Sequence, residues 1–423
     1  MGTGPVRVLI AGGGIGGLAA ALCLHRSGHE VTVFESVARP RELGVGINLL
    51  PHSVRVLHDL GLEAVLREAA VQTSELRSYS DDGILIWAEQ RGVAAGNPWP
   101  QYSIHRGRLQ LLLLDAVRDE VGSGRILTGH HLAAFEQDAR GVTAHFDDRR
   151  TGVRAGTYRG DVLVGCDGLH SAVRKALVPG EGPPLYSGLV LWWGAVEAPP
   201  FLDGRTMFMA GHDRQKAVVY PIRGPIRPDG TVLTNWVVER PVDLDVTAAD
   251  WNAPADPAGV AGWFEEWDFG WIHVGRLIDS AEAAYEFPMV DRDPIDRWSH
   301  GRVTLLGDAA HPMRPNGSNG ASQAILDAEA VARALTGEGD AVTALDRYDD
   351  ERREATGRLV LANRQAGPER VMQRVRDDCD GSCVGTHTCV PEAELEREAN
   401  SYKVLAGFDL ARLRGMAESA ETD

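Results

Sequence analysis

Residues Val6–Glu35 read VRVLIAGGGIGGLAAALCLHRSGHEVTVFE, and this stretch decides the fold class. Val8 to Ala11 is a short apolar run of the kind that forms a buried strand. Leu18, Ala21 and Leu22 give the i, i+3, i+4 stripe of a helix packing back on it, and Gly28 is placed to stop that helix. A second apolar run ends at Glu35, so the unit is strand, glycine loop, helix, strand. Gly12, Gly14 and Gly17 stand at G-x-G-x-x-G spacing. The first permits a tight turn, the second lets backbone approach a pyrophosphate, and the third lets helix and strand pack closely. An acid about 20 residues further on suits the hydroxyls of an unphosphorylated ribose, which Glu35 supplies. The stretch therefore predicts binding of the adenosine half of a dinucleotide.

A second strand, loop and helix pattern lies far along the chain, in LLGDAAHPMRPNGSNGASQAILDA from Leu305 to Ala328. Between the two, texture alternates. LRSYSDDGILIWAEQ after residue 75, and LVLWWGAVE, AVVYPI and VLTNWVVE between Leu189 and Pro288, read as strands separated by Gly, Pro and Asp turn signals and predict an antiparallel sheet apart from the parallel one. HRGRLQLLLLDAV reads as a helix, and DVLVGCDGLHSAVRKAL as strand, turn and helix. Beyond Glu338 the pattern is charged and helical, with alternating signs on one face as in a solvated helix covering a core.

The chain has 423 residues, 43% of them hydrophobic, enough for two joined cores. Its formal charge of −17 disfavours nucleic acid and anionic membrane surfaces, which attract basic faces. No apolar run reaches the roughly 18 residues of a membrane span, and the opening residues lack the pattern of a secretory signal, so a cytoplasmic location is expected. Five cysteines are an odd count for a disulfide scaffold. Cys379, Cys383, His387 and Cys389 offer four possible metal ligands, but their irregular spacing in one glycine-containing loop suits an ordinary surface loop better than zinc, and no metal site is expected.

Three motifs in order, Gly12-x-Gly14-x-x-Gly17, CDGLHSAVR from Cys166 to Arg174 and GDAAHPMRP from Gly307 to Pro315, make the chain resemble the single-component flavoprotein aromatic hydroxylases, the para-hydroxybenzoate hydroxylase class. GVGINLLPHSV, NPWPQYSIHRGRLQ, FLDGRTM, EFPMVDRDP and GRVTLLGDAAH are similar to the phenazine-carboxylate hydroxylase branch. The resemblance implies an α/β fold: an FAD-binding Rossmann-like domain of glutathione-reductase type, an interleaved antiparallel β-sheet substrate domain and C-terminal helices. The expected division is 1–75, 105–185 and 290–337 for FAD, 76–104 and 186–289 for the substrate sheet, and 338–423 for the helical region.

Residue by residue, the resemblance implies that FAD is held by Gly12, Gly14, Ile15, Gly16, Gly17, Glu35, Gly46, Ile47, Arg106, Asp167, Arg174, Asp308, Pro315, Gly320, Ala321 and Ser322. Arg106 suits pyrophosphate oxygens, since a guanidinium fork matches phosphate. Asp308 would accept from a flavin sugar hydroxyl or cap a helix. The helix beginning near Ala321 would aim its positive end at the electron-rich edge of the flavin. Asp167, Gly168 and Arg174 match a segment shared with nicotinamide binding. With one G-x-G-x-x-G in the chain, NAD(P)H has no domain of its own and binds as a transient co-substrate. Ser322 stands where many relatives carry an asparagine that helps hold the flavin.

The implied chemistry is hydride transfer from NAD(P)H to FAD, addition of O2 to form a flavin C4a-hydroperoxide, and delivery of a hydroxyl group to an electron-rich ring. Tyr220, Asn48 and Pro315 are the candidates for touching a small aromatic substrate. His311 is expected to be a packed or hydrogen-bonded histidine and not a proton acceptor. Trp192 and Trp193 replace a tryptophan and an arginine of the phenazine branch, so a planar surface stands in place of a charge. Epoxidation or Baeyer-Villiger oxidation by the same cofactor, and noncatalytic carriage of a hydrophobic ligand, remain alternative readings. The expected assembly is a monomer or homodimer.

Overall fold

A computed structural model describes residues 4–245, 253–379 and 389–420. Its centre is a five-stranded parallel sheet in the order Val303–Leu305, Val162–Gly165, Arg7–Ala11, Glu30–Glu35, Ile126–Thr128. The first strand lies in the middle because its residues Val8–Ala11 are apolar on both faces and buried on both. The helix Ile15–Arg26 starts directly after it and stops before Gly28, whose φ of +86° suits the reversal.

That helix differs from the one-sided stripe expected. Leu18, Ala19, Ala20, Ala21, Leu22 and Leu24 are each 0% exposed, because the helices Gly320–Thr336 and Arg106–Val117 cover the faces turned away from the sheet. Small residues make this possible. A Cβ added to Gly16 would stand 2.8 Å from Leu306 Cδ2 and 3.0 Å from the Ala324 Cβ of the Gly320–Thr336 helix. Truncating a leucine here, as in Leu22→Ala, would cost about 2 to 5 kcal/mol by the usual transfer and cavity terms.

A second, eight-stranded sheet stands apart, in the order Ala253–Ala255, Ala284–Asp291, Leu185–Ala198, Val232–Pro241, Gln215–Arg223, Thr206–His212, Glu75–Tyr79, Leu85–Gln90. It is antiparallel except where Thr206–His212 runs parallel to Glu75–Tyr79, the seam joining two distant stretches of chain. Paired residues share a face, so Trp193, Val237 and Val218 point one way with Tyr220, Asn235 and Ala195. Trp192 points the other way, onto Trp263 at 4.7 Å. A small antiparallel sheet of Gly46–Leu49, Gln101–His105 and Val71–Thr73 bridges the two larger ones. No helix among the described residues is long and apolar enough to cross a membrane.

Cys379 and Cys389 form a disulfide with their Cα atoms 5.5 Å apart, a normal separation for such a bond. Cys379 is 6% exposed and packs with Val371, Met372 and Val390, a pairing and burial that the sequence reading of these cysteines did not anticipate. Cys383 and His387 lie outside the described residues.

Candidate active site

The N-terminal loop is shaped by what its glycines exclude. Gly12 has a φ of +114°, and a Cβ there would stand 2.2 Å from the Cys166 carbonyl oxygen. A Cβ on Gly17 would stand 2.0 Å from the Gly12 oxygen. At Gly14 nothing lies within 4 Å of the corresponding position, so that side is open. The helix Ile15–Arg26 has no side-chain cap, leaving its first N–H groups turned toward this opening. Gln110, from the helix Arg106–Val117, donates to the Gly13 carbonyl at 2.8 Å and fixes the loop from the side, a contact the sequence did not signal.

Glu35 accepts from the Gly13 amide at 2.9 Å, the Val37 amide at 2.6 Å and Ser36 Oγ at 3.1 Å. A carboxylate has about four acceptor positions, which leaves room for one further donor. Arg106 is exposed beside Gly44, its Cδ 3.7 Å from where a Gly44 Cβ would be, with no ion-pair partner among the described residues.

The late loop carries the second opening. Asp308 is exposed, 3.8 Å from the Cβ position of Gly320, and it does not cap the helix Gly320–Thr336, which has no side-chain cap. Pro315 is exposed at the start of the turn Asn316–Ser318. Gly320 and Ala321 are half-buried at the helix start, and Ile15 and Ile47 are half-buried at the edges of the first opening and the small sheet. Two uncapped helix starts, an open glycine position, a free carboxylate and an unpaired arginine suit a cofactor with a pyrophosphate and polyol; the residues present fit FAD.

Several expected site residues have side chains engaged within the protein itself. Arg174 is 1% exposed; it donates to the carbonyls of Ala309, Ala310 and Asp293 and pairs with Glu181, so it braces the Gly307–His311 turn from behind. Asp167 accepts from Ser171 Oγ and from the Ala172 and Val173 amides at 2.7 and 3.2 Å, capping the short helix Ala172–Leu177. Burial raises its pKa against those hydrogen bonds. Ser322 is 0% exposed, and its Oγ accepts from the Leu50 amide and Ser53 Oγ, which ties the late helix to the helix Pro51–Asp59. Gly16 serves the helix crossing described above.

Two of the substrate candidates, Tyr220 and Asn48, are also hydrogen-bonded within the fold. Tyr220 donates to the Gly46 carbonyl at 2.9 Å, and burial pushes its hydroxyl pKa well up, so it stays neutral. Asn235 Oδ1 accepts from the Gly46 amide at 2.7 Å. A Cβ on Gly46 would come within 2.6 to 2.8 Å of Ile222, Tyr220 and Asn235, which is why glycine stands there. Asn48, 3% exposed, donates to Ser318 Oγ at 3.3 Å and accepts from Ser103 Oγ at 2.6 Å. His311 is held by Asp327 Oδ2 at 2.6 Å, the same oxygen that accepts from the Gly307 amide at 3.0 Å, while Arg352 donates to Asp327 Oδ1 at 2.7 Å. Burial by itself would raise the Asp327 pKa; His311 and Arg352 outweigh it and hold the value at about 2.

The face of the second sheet that carries Tyr220 and Asn235 also carries Trp193. Trp193 is half-buried and stacked on Phe287 at 5.3 Å and 23°. The Trp193 indole N–H and Asn235 Nδ2 are buried without an acceptor among the described residues. Nearby, Lys216 is buried between Glu239, at 2.7 Å, and Glu369, and Glu369 also accepts from Asn316 of the late loop at 2.7 Å. Burial raises the Glu239 pKa against the attraction of Lys216. A cavity of about 620 Å³ lies elsewhere, behind the late helix, lined by His52, Gln323, Arg352 and Arg412 among others. It does not open onto the aromatic face.

A family model described as an FAD binding domain matches residues 5–236 and 280–363. Phenazine 1,6-dicarboxylic acid hydroxylase PhzS of Lysobacter antibioticus is 45% identical over 361 residues, 84% of this chain and 89% of that one. The 3-amino-4-hydroxybenzoate 2-monooxygenase PtmB3 of Streptomyces platensis is 34% identical over 424 residues, 96% of each chain. Among solved structures, a salicylate hydroxylase substrate complex superposes with a TM-score of 0.73 at 25% identity, covering 97% of both chains. Klebsiella pneumoniae HpxO complexed with FAD and uric acid shares the fold, with a TM-score of 0.71 at 24% identity over 98% of this chain and 96% of that one. With its two uncapped helix starts and three ordered motifs, this chain belongs to the FAD-binding-domain family and is a flavoprotein monooxygenase of the aromatic hydroxylase kind.

Proposed function

We propose that the chain hydroxylates a planar, carboxylated or phenolic aromatic compound, polycyclic in the favoured case, using NAD(P)H as reductant and O2 as oxidant in secondary metabolism. FAD, when bound, supplies the hydride acceptance and oxygen activation that no side chain provides. The protein's share is binding, orientation and exclusion of water. Gly12, Gly14, Ile15, Gly17 and Glu35 would hold the adenosine and pyrophosphate end, with Arg106 on the phosphates. Asp308, Pro315, Gly320 and Ala321 would hold the sugar and ring end. The proposed discontinuous division, 1–75, 105–185 and 290–337 against 76–104 and 186–289, corresponds to this split, with 338–423 as the helical region.

The observation that carries the substrate class is the half-buried Trp193, stacked on Phe287 with its indole N–H lacking an acceptor. A flat ring would stack on such a surface, and its heteroatoms or carboxylate would receive the unmet donors of Trp193 and Asn235. The 45% identity to an enzyme named for a phenazine dicarboxylic acid supports a tricyclic acid. Tyr220 and Asn48 would fix the backbone beside the substrate through Gly46 and Ser318 and would not move protons.

The test is a panel of aromatic acids and phenols offered to the FAD-loaded enzyme, with NAD(P)H oxidation, hydrogen peroxide and product mass measured together. A coupled gain of one oxygen on a polycyclic acid is the expected result. Oxygen inserted into a ring or carbonyl bond would favour the Baeyer-Villiger alternative, and NAD(P)H oxidation that no aromatic compound accelerates would reject the reading. Trp193→Ala should raise KM for the best substrate by about tenfold, the worth of roughly 1.4 kcal/mol of stacking.

A further inference from the structure

The late helix begins at Gly320, preceded by Asn319. Asparagine is among the best residues at that position, because its side-chain oxygen normally accepts from the second or third amide of the helix, with the residue itself in extended backbone. Asn319 does neither. Its backbone is already helical, φ −92° and ψ −24°, and the helix has no side-chain cap. Its Nδ2 donates to Tyr402 Oη at 2.8 Å and to the Gly317 carbonyl at 3.0 Å, while its Oδ1 is buried without a donor. An unmet acceptor thus stands beside unmet helix amides.

The reason lies in Tyr402, on the helix Glu392–Ala406, beyond the residues matched by the family model. Its buried hydroxyl is shared among the turn's groups: it accepts from Asn319 and is within donating distance of Asn363 Oδ1 at 2.8 Å and the Asn316 carbonyl at 3.2 Å. It also presses on the turn itself. A Cβ on Gly317 would stand 2.1 Å from the hydroxyl oxygen, and Ser318 is held at a φ of +57°, a left-handed conformation unfavourable for a residue with a side chain.

We propose that Tyr402 is a positioning residue that withholds Asn319 from capping its own helix, and so keeps the amides of Ala321 and Ser322 and the positive helix end available to the electron-rich edge of FAD. This rests on the flavin-end assignment of the late loop made above. A capped helix start would compete with the cofactor for the same donors. Removing the hydroxyl takes away one of the two hydrogen bonds that hold the Asn319 amide, which frees the residue to shift to the extended backbone that capping requires.

The experiment compares wild type, Tyr402→Phe, Asn319→Ala and the double variant. In FAD-free protein, amide hydrogen exchange at Ala321 and Ser322 should slow in Tyr402→Phe and return to the wild-type rate in the double variant. In FAD-loaded protein, Tyr402→Phe should weaken FAD binding roughly fivefold, the worth of one helix cap of about 1 kcal/mol. It should also lower the flavin midpoint potential, and Asn319→Ala in the same chain should restore both. Unchanged exchange and affinity in Tyr402→Phe, or a double variant worse than either single one, would overturn the proposal and leave Tyr402 as packing. The FAD-free exchange reads Tyr402 alone, so a failure of the flavin-end assignment would appear separately, as altered exchange with unaltered FAD affinity and potential.

Discussion

The two glycine loops end two strands of the same parallel sheet and start two helices that pack on each other, yet they are held in different ways. The N-terminal loop is fixed by absence: Gly12 and Gly17 occupy places where a Cβ would stand about 2 Å from backbone oxygen, and most of its partners lie within the same strand, helix, strand unit. The late loop is fixed by presence. Tyr402, Glu369, Arg352 and Asn48, drawn from distant parts of the chain, each hold one of its residues or the helix behind it. A steric loop is rigid from the outset, whereas a tethered loop depends on its tethers, so damage to each should look different.

The largest expected effect is on the tethered side. Lys216→Met would leave the carboxylates of Glu239 and Glu369 buried together without their cation, at a cost of about 3 to 5 kcal/mol, read as a lower denaturant midpoint with early loss of FAD. If that variant kept its stability, the late loop would not depend on the cluster and the contrast would collapse. Gly17→Ala tests the other loop. Its methyl group would force the glycine turn apart, costing about 1 to 3 kcal/mol, and FAD titration should show lost affinity at little change in the late-loop amides.

Acid should act on the tethers first. Asp327 has a folded pKa of about 2 against an ordinary 3.8, so its contribution, about 2 kcal/mol, is present above pH 3.8 and lost as pH falls toward 2. His52, buried near Arg352, Arg412 and Arg55, is pushed by burial and those charges from 6.5 to about 3. It is neutral in the fold and protonates in the unfolded chain, so stability falls as pH drops below 6.5. His52→Gln should remove the part of the acid loss between pH 6.5 and about 3 in denaturant midpoints measured across pH. The smallest effect is a gain. Ala366 sits at φ +67° opposite the late turn, and Ala366→Gly should stabilise by about 1 kcal/mol, seen as a small rise in melting temperature.

The N-terminal site was legible in the sequence because its physics is local. Spacing alone located the turn at Gly12, the open approach at Gly14 and the helix contact at Gly17. The late loop was recognised by its motif, but the direction of side chains there and in the middle motif was not legible. Arg174 and Asp167 sit in a motif that resembles a cofactor segment, yet their side chains turn inward to carbonyls and amides. The Ser322 side chain faces Leu50 and Ser53, so a contact with the flavin end would come from its backbone amide. Trp193 and Trp192 are neighbours in sequence, and only the strand pairing put Trp193 on the face of Tyr220 and Asn235 and Trp192 on the other.

By itself the sequence determined the fold class, the presence of a dinucleotide site and a second, antiparallel sheet, because glycine spacing and strand alternation act over a few residues. Only the tertiary structure decided how the flavin end is built. Tyr402 and Asn319 are 83 residues apart, and Lys216 and Glu369 are 153 apart. No periodicity links positions so distant; the contact exists only because the C-terminal helices fold back behind the late loop.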